Sequence, residues 1–331
     1  MTQAPLRVLV SDKIWQVRGQ DIARAMDGKP FVRVTVDEVL AGSDVDVAFI
    51  SRDITGGSTK YDIKPETQRY YDALLAARSL KWVHVHSAGA DRFVYLDLMD
   101  KGVQLTTSPG ANAGAVAQTA LAGILAIARD FPTLMASQRA HRWETLLQTG
   151  IPPDLDGQTA VIVGWGPIGQ TIGKVLHALD VKLTVVRQSL QPVDIAQEVV
   201  TLAEFESVLP KADWLVLACP LTTQTTNLVS RQALEKIKPG ASIANVSRGA
   251  VIDEIAMIEK LRQGHLRGAY LDVFATEPLP ADSPIWDIPN VIATPHTAGF
   301  SHGMYARMEQ KFLDNLHRFV QGESLRNIAS R

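Results

Sequence analysis

Apolar residues recur along this chain in short runs that alternate with longer, helix-periodic stretches. Runs at 6–10, 31–36, 45–50 and 82–85 predict strands, and 67–77 predicts a helix with Tyr71, Leu74 and Leu75 on one side. Alternation of this kind implies a parallel sheet covered by helices on both faces. Ser108-Pro109-Gly110 interrupts it. The helix predicted next, over 113–129, is apolar on nearly every side, so it is expected to be buried all round, with a subunit interface as a natural place to bury it. The more polar stretch 138–149 reads as a loop or arm carrying Arg142 and Trp143. A second alternating series then begins. It predicts strands at 160–163, 182–186, 214–218, 242–245, 268–271 and 291–293, and helices at 170–179, 202–209, 231–236 and 254–262. A last helix, 305–320, lies beyond the final strand and is expected to pack back on the first series.

The opening of the second series carries Gly164, Gly166 and Gly169 in the pattern G-x-G-x-x-G, between a strand and a helix. Such a turn suits a dinucleotide pyrophosphate. The first glycine allows the turn, the second admits the phosphates, and the third lets helix and strand pack closely. About half of the chain precedes this motif, so the cofactor domain is not the first one. The strand at 182–186 ends in Arg187, followed by Ser189, where an NAD site carries an acid for the ribose hydroxyls. A cation and a hydroxyl there suit a ribose 2′-phosphate, which favours NADP(H) over NAD(H).

With 331 residues, two domains are expected. A formal charge of −2 without basic runs argues against nucleic acid or an anionic membrane as partner. The single cysteine, Cys219, leaves no intrachain disulfide, and residues 1–10 lack a signal-peptide pattern, so a cytoplasmic setting is expected. His84 and His86 sit two apart on one strand face without a third ligand nearby, and no metal site is expected.

Arg248, Glu277 and His296 each follow a predicted strand of the second series, where open α/β sheets place ligands. An arginine can clamp a carboxylate and polarise a carbonyl. A histidine can donate a proton to an alkoxide, and a carboxylate on its other nitrogen fixes the tautomer. Spacing alone does not bring the three together.

The stretches 164–169, 219–222, 245–253, 271–280 and 283–296 together resemble the D-isomer-specific 2-hydroxyacid dehydrogenases, over nearly the whole chain. The resemblance is nearer to the glyoxylate/hydroxypyruvate reductase branch, to which Arg187 conforms. It implies Arg248, Glu277 and His296 as the catalytic set and Pro167 and Ile168 at the pyrophosphate. It further implies Cys219, Pro220, Thr225, Val246 and Ser247 along the cofactor groove, and Asp272 at the nicotinamide carboxamide. Ala88 and Gly89 match the loop whose N–H groups hold the substrate carboxylate, and the arm tryptophan of related reductases corresponds to Trp143. Glu277 departs from the formate dehydrogenase branch, which has glutamine there, and the length leaves no room for the extra regulatory domain of many 3-phosphoglycerate dehydrogenases.

The expected architecture is two doubly wound parallel-sheet α/β domains, a Rossmann cofactor domain over 105–296 inserted into a flavodoxin-like substrate domain formed by 1–104 and 297–331, with the active site in the cleft between them. The expected reaction is reversible reduction of a small 2-keto acid to the D-2-hydroxy acid by NADPH, in a homodimer formed through 113–149. A nucleotide-sensing corepressor-like scaffold, phosphite oxidation and a bulkier keto acid stand as alternatives.

Overall fold

The computed structural model describes residues 4–60 and 62–329. The chain divides into two compact units: the residues up to Asn112 together with those from Ser301 onward, and Ala113–Phe300.

The first unit holds strands β1 (Leu6–Leu9), β2 (Phe31–Val34), β3 (Val47–Ile50), β4 (Trp82–Val85) and β5 (Gln104–Thr106). They form one parallel sheet in the order β2-β1-β3-β4-β5, the flavodoxin-like winding. Period-two alternation divides its core. Ala48, Ile50, Val83 and Val85 face Tyr70, Tyr95 and Leu98, while Val47, Phe49 and Trp82 face the last helix, Met304–Gln321. Phe312 of that helix stacks on Phe49 with ring centroids 4.6 Å apart, so the helix does pack back on the first series. The expected strand 31–36 ends at Val34. Thr35 accepts from the Glu38 N–H and the Glu38 carboxylate accepts from Thr35 N, a capping box that starts the helix Val36–Leu40.

The second unit holds β6 (Thr159–Val163), β7 (Lys182–Val186), β8 (Glu198–Val200), β9 (Trp214–Leu217), β10 (Ser242–Asn245), β11 (Gly268–Leu271) and β12 (Val291–Ala293). The sheet is parallel throughout, in the order β12-β11-β10-β9-β6-β7-β8. Its winding reverses between β6 and β9, the switch point at which a doubly wound sheet opens a ligand crevice. Val161, Val163, Leu215 and Leu217 fill one face; Ala160, Ile162, Trp214 and Val216 fill the other, under the helices Ala113–Ala128 and Pro167–Ala178.

Three expectations change. The helix Ala113–Ala128 is not buried all round, because Gly114, Gln118 and Ala122 lie exposed one turn apart on one side. The arm, 138–149, takes in the end of the helix Phe131–Arg139 and a short helix, Leu146–Thr149, rather than loop alone. The short strands β5 and β8 were not expected; each has three residues at a sheet edge, too few for a periodic signal.

Candidate active site

The glycine turn lies at the switch point. Gly164 has φ +97°, and a Cβ there would stand 2.8 Å from the backbone of Ala218 and Cys219 at the end of β9. A Cβ on Gly169 would stand 2.0 Å from the Gly164 carbonyl oxygen, so helix and turn meet only because both positions lack one. At Gly166 a Cβ would enter open space instead. Pro167 is the first residue of the helix that follows, where its missing N–H costs nothing, and Ile168 is half-buried beside it. The opening turn of the helix therefore offers N–H groups that have no carbonyl one turn earlier. This fits a pyrophosphate.

Around the turn, Cys219 is buried and its thiol is pushed up to about 11 by that burial, which leaves it inert as a nucleophile at neutral pH. Pro220 is exposed, and its carbonyl accepts the Thr225 hydroxyl at 2.7 Å. Thr225 thus fastens its own loop. Arg187 follows β7; its N–H bonds to the Val200 carbonyl at 3.0 Å and its guanidinium to Gln191 at 3.3 Å. Among the described residues no carboxylate lies within ion-pair distance of Arg187, and Ser189 beside it is exposed.

Past β10, Val246 and Ser247 are buried and Arg248 is half-buried. The Ser247 N–H and hydroxyl both donate to Asn245 Oδ1, and Asn245 Nδ2 donates to the Arg248 carbonyl at 3.2 Å. Gly249 sets this turn against the segment after β11: a Cβ there would stand 1.9 Å from the Phe274 carbonyl carbon. Sequence reading passed over Asn245 and Gly249 as site residues, since both act through neighbours distant in sequence or through the turn itself.

Glu277 lies in the segment so approached. Its Oε1 accepts the Phe274 N–H at 3.0 Å, and its Oε2 lies 2.7 Å from His296 Nδ1. Burial pushes the Glu277 carboxyl up, but the hydrogen bond and charge of His296, the Phe274 N–H and the positive charge of Arg248 outweigh it and hold the group below the usual carboxylate range. The structure therefore brings Glu277 and His296 into contact and places Arg248 close enough for its charge to act on Glu277. With Glu277 on Nδ1, the other ring nitrogen, Nε2, is left for an external partner.

His296 itself has φ +50°, a left-handed backbone uncommon outside glycine. Asp272 holds it there. The Asp272 carbonyl accepts the His296 N–H at 2.9 Å, and Oδ1 accepts the Thr294 hydroxyl at 2.6 Å and the Thr297 N–H at 2.9 Å. Both carboxylate oxygens are also 3.1 Å from the Ala298 N–H. The Asp272 side chain is thus engaged in shaping the histidine loop.

Ala88 and Gly89 belong to the first unit, just past β4, where the Ser87 hydroxyl donates to the Gly89 carbonyl at 2.7 Å. His84 and His86 are buried in that unit, and no group of three metal-ligating side chains occurs among the described residues. No single helix among them is long and apolar enough to cross a membrane. Trp143 is 94% exposed.

A family model described as D-isomer specific 2-hydroxyacid dehydrogenase, NAD binding domain, matches residues 121–298. The chain is 36% identical to D-3-phosphoglycerate dehydrogenase of Mycobacterium leprae (strain TN) over 68% of its own length and 42% of the relative's, so it spans less than half of that protein. It is 34% identical to glyoxylate/hydroxypyruvate reductase B of Pectobacterium carotovorum subsp. carotovorum (strain PC1), over 78% of this chain and 82% of that one. A crystal structure of a D-isomer specific 2-hydroxyacid dehydrogenase from Xanthobacter autotrophicus Py2, in complex with NADPH and MES, superposes with TM-score 0.75 at 25% identity, covering 99% of this chain and 98% of the other. By its sheets, its glycine turn and these matches, the chain belongs to the D-isomer specific 2-hydroxyacid dehydrogenase family.

Proposed function

We propose that the protein reversibly reduces a small 2-keto acid, such as glyoxylate or hydroxypyruvate, to the D-2-hydroxy acid, with NADPH favoured over NADH. The observation that carries this reading is the 2.7 Å contact between His296 Nδ1 and Glu277, with Arg248 acting on the same carboxylate. Bound cofactor supplies the hydride. His296 holds a proton on Nε2 for the alkoxide oxygen, Glu277 fixes the imidazole through Nδ1, and Arg248 binds the substrate carboxylate and polarises the carbonyl. Ala88 and Gly89 offer backbone N–H groups to the substrate carboxylate. Gly164, Gly166, Pro167, Ile168 and Gly169 cradle the pyrophosphate; Cys219, Pro220, Thr225, Val246, Ser247 and Asp272 line the cofactor site. Arg187 and Ser189 take the ribose 2′-phosphate.

That the Pectobacterium relative is a glyoxylate/hydroxypyruvate reductase and that the Xanthobacter structure holds NADPH support this substrate and cofactor. Arg187, a guanidinium without a carboxylate partner among the described residues, supports NADPH from this chain's own residues. We also propose a cytoplasmic homodimer that covers the exposed side of Ala113–Ala128 and the arm with Trp143 and Leu147, which are 94% and 82% exposed.

The test is loss of reduced-nicotinamide absorbance with a panel of 2-keto acids and both cofactors. Turnover of none of them would remove the reading. Arg187→Asp is expected to shift the NADPH/NADH ratio of kcat/KM towards NADH by roughly tenfold or more; an unchanged ratio would clear Arg187 of the phosphate role.

A further inference from the structure

The first unit holds polar groups that the reading above leaves unused, beside the Ala88–Gly89 loop at the C-terminal ends of β3 and β4. Adjacent parallel strand ends are where such sheets bind ligands. Arg92 is half-buried there. Its guanidinium donates to the Ser58 carbonyl at 2.7 Å, the Thr59 carbonyl at 3.1 Å and the Tyr71 hydroxyl at 3.3 Å. These partners orient the group without neutralising it. The nearby acids are engaged elsewhere: Asp53 accepts the Ser51 hydroxyl at 2.6 Å, and Asp91 lies 3.8 Å from the Lys60 ammonium.

Two further atoms point to a missing ligand. The Tyr95 hydroxyl and His86 Nδ1 are buried and have no hydrogen-bond partner among the described residues. Buried polar atoms of this kind are rare and call for an explanation. Tyr95 packs edge-on to Tyr71, the ring that Arg92 touches, with centroids 6.4 Å apart. The charge of Arg92 acts on both Tyr95 and His86. His86 Nε2 lies 3.3 Å from the Thr55 hydroxyl. Residues 87–91, which follow His86 and include the Ala88–Gly89 loop, form neither helix nor strand.

A guanidinium and a phenol are donors suited to an anion. Resting on the reductase reading and its Ala88–Gly89 carboxylate loop, we propose that Arg92, with Tyr95, selects a 2-keto acid whose far end carries a second anionic group, a carboxylate or a phosphate.

The experiment measures kcat/KM with NADPH for glyoxylate, hydroxypyruvate, oxaloacetate and 3-phosphohydroxypyruvate in the parent protein, Arg92→Met, Arg92→Lys and Tyr95→Phe. The parent is expected to prefer at least one dianion over hydroxypyruvate by roughly tenfold or more, the better of the two identifying carboxylate or phosphate. Arg92→Met is expected to bring that ratio to about one through KM, Arg92→Lys to keep most of it, and Tyr95→Phe to lower it severalfold. A parent that reduces glyoxylate with no preference for either dianion overturns the selection and leaves the reductase reading standing. Equal losses on all substrates in Arg92→Met and Arg92→Lys, with the ratio kept, overturn it too, because Arg92 is then only a staple for residues 58 and 59. Failure of the parent to reduce any 2-keto acid defeats the reductase reading, and this inference with it.

Discussion

His296 bears the most constrained backbone of the three ionisable residues at the site, and its strain of about 1–3 kcal/mol persists only because its surroundings hold it. Asp272 supplies that hold through its carbonyl and both carboxylate oxygens. Asp272→Ala is expected to leave the Thr297 and Ala298 N–H groups without their acceptor, to lower stability by about 2 kcal/mol or more, and to reduce turnover at least tenfold. Asp272→Asn keeps an acceptor oxygen and is expected to be milder on both counts. Chemical denaturation beside steady-state kinetics checks the pair; equal behaviour of the two variants would show that the loop does not depend on the acceptor. His296→Ala is expected to lower turnover by about 10²–10⁴-fold, with NADPH affinity measured by fluorescence within about twofold of the parent. Arg248, Glu277 and His296 were legible as ionisable residues past strand ends. The contact of Glu277 with His296 was not, since it depends on where separate connections fold back.

At the scale of elements, the strand runs were legible where burial on both faces made them continuously apolar, as at β9 and β11. Local chemistry overrode the pattern at Thr35, where a capping box turned the end of an apolar run into a helix. Close approach between elements was invisible in the sequence. Gly249 is the clearest instance: it lies against the Phe274 backbone and thereby sets the Arg248 turn beside the Glu277 segment. Gly249→Ala must move one of the two segments, because the obstruction is backbone. It is expected to reduce kcat/KM at least tenfold and to cost about 1–3 kcal/mol of stability. A variant as active and stable as the parent would refute that account.

For the molecule as a whole, the two windings followed from the order of strands and helices, whereas the reason each core tolerates its polar residues did not. His84 is fully buried, with Thr106 Oγ1 2.7 Å from Nδ1 and Ser108 Oγ 2.9 Å from Nε2. Burial holds His84 and His86 each down to about 3, far below the ordinary value of about 6.5. The unfolded chain therefore binds more protons than the folded one between those values, and stability falls as pH drops below about 6.5, by about 1.4 kcal/mol per pH unit for each histidine. His84→Gln is expected to flatten that dependence, read as a smaller drop in urea midpoint between pH 7 and pH 5. A parallel drop in parent and variant would acquit His84.

The stacking of Phe312 on Phe49 and Trp82 has one more consequence. During synthesis on a ribosome, Ala113–Phe300 can collapse once its own strands have emerged, because its sheet draws on one uninterrupted stretch. The earlier-made sheet must wait, one apolar side open to chaperones, until the helix Met304–Gln321 leaves the exit tunnel to close it. Of the two units, the one begun earlier is thus the later to close.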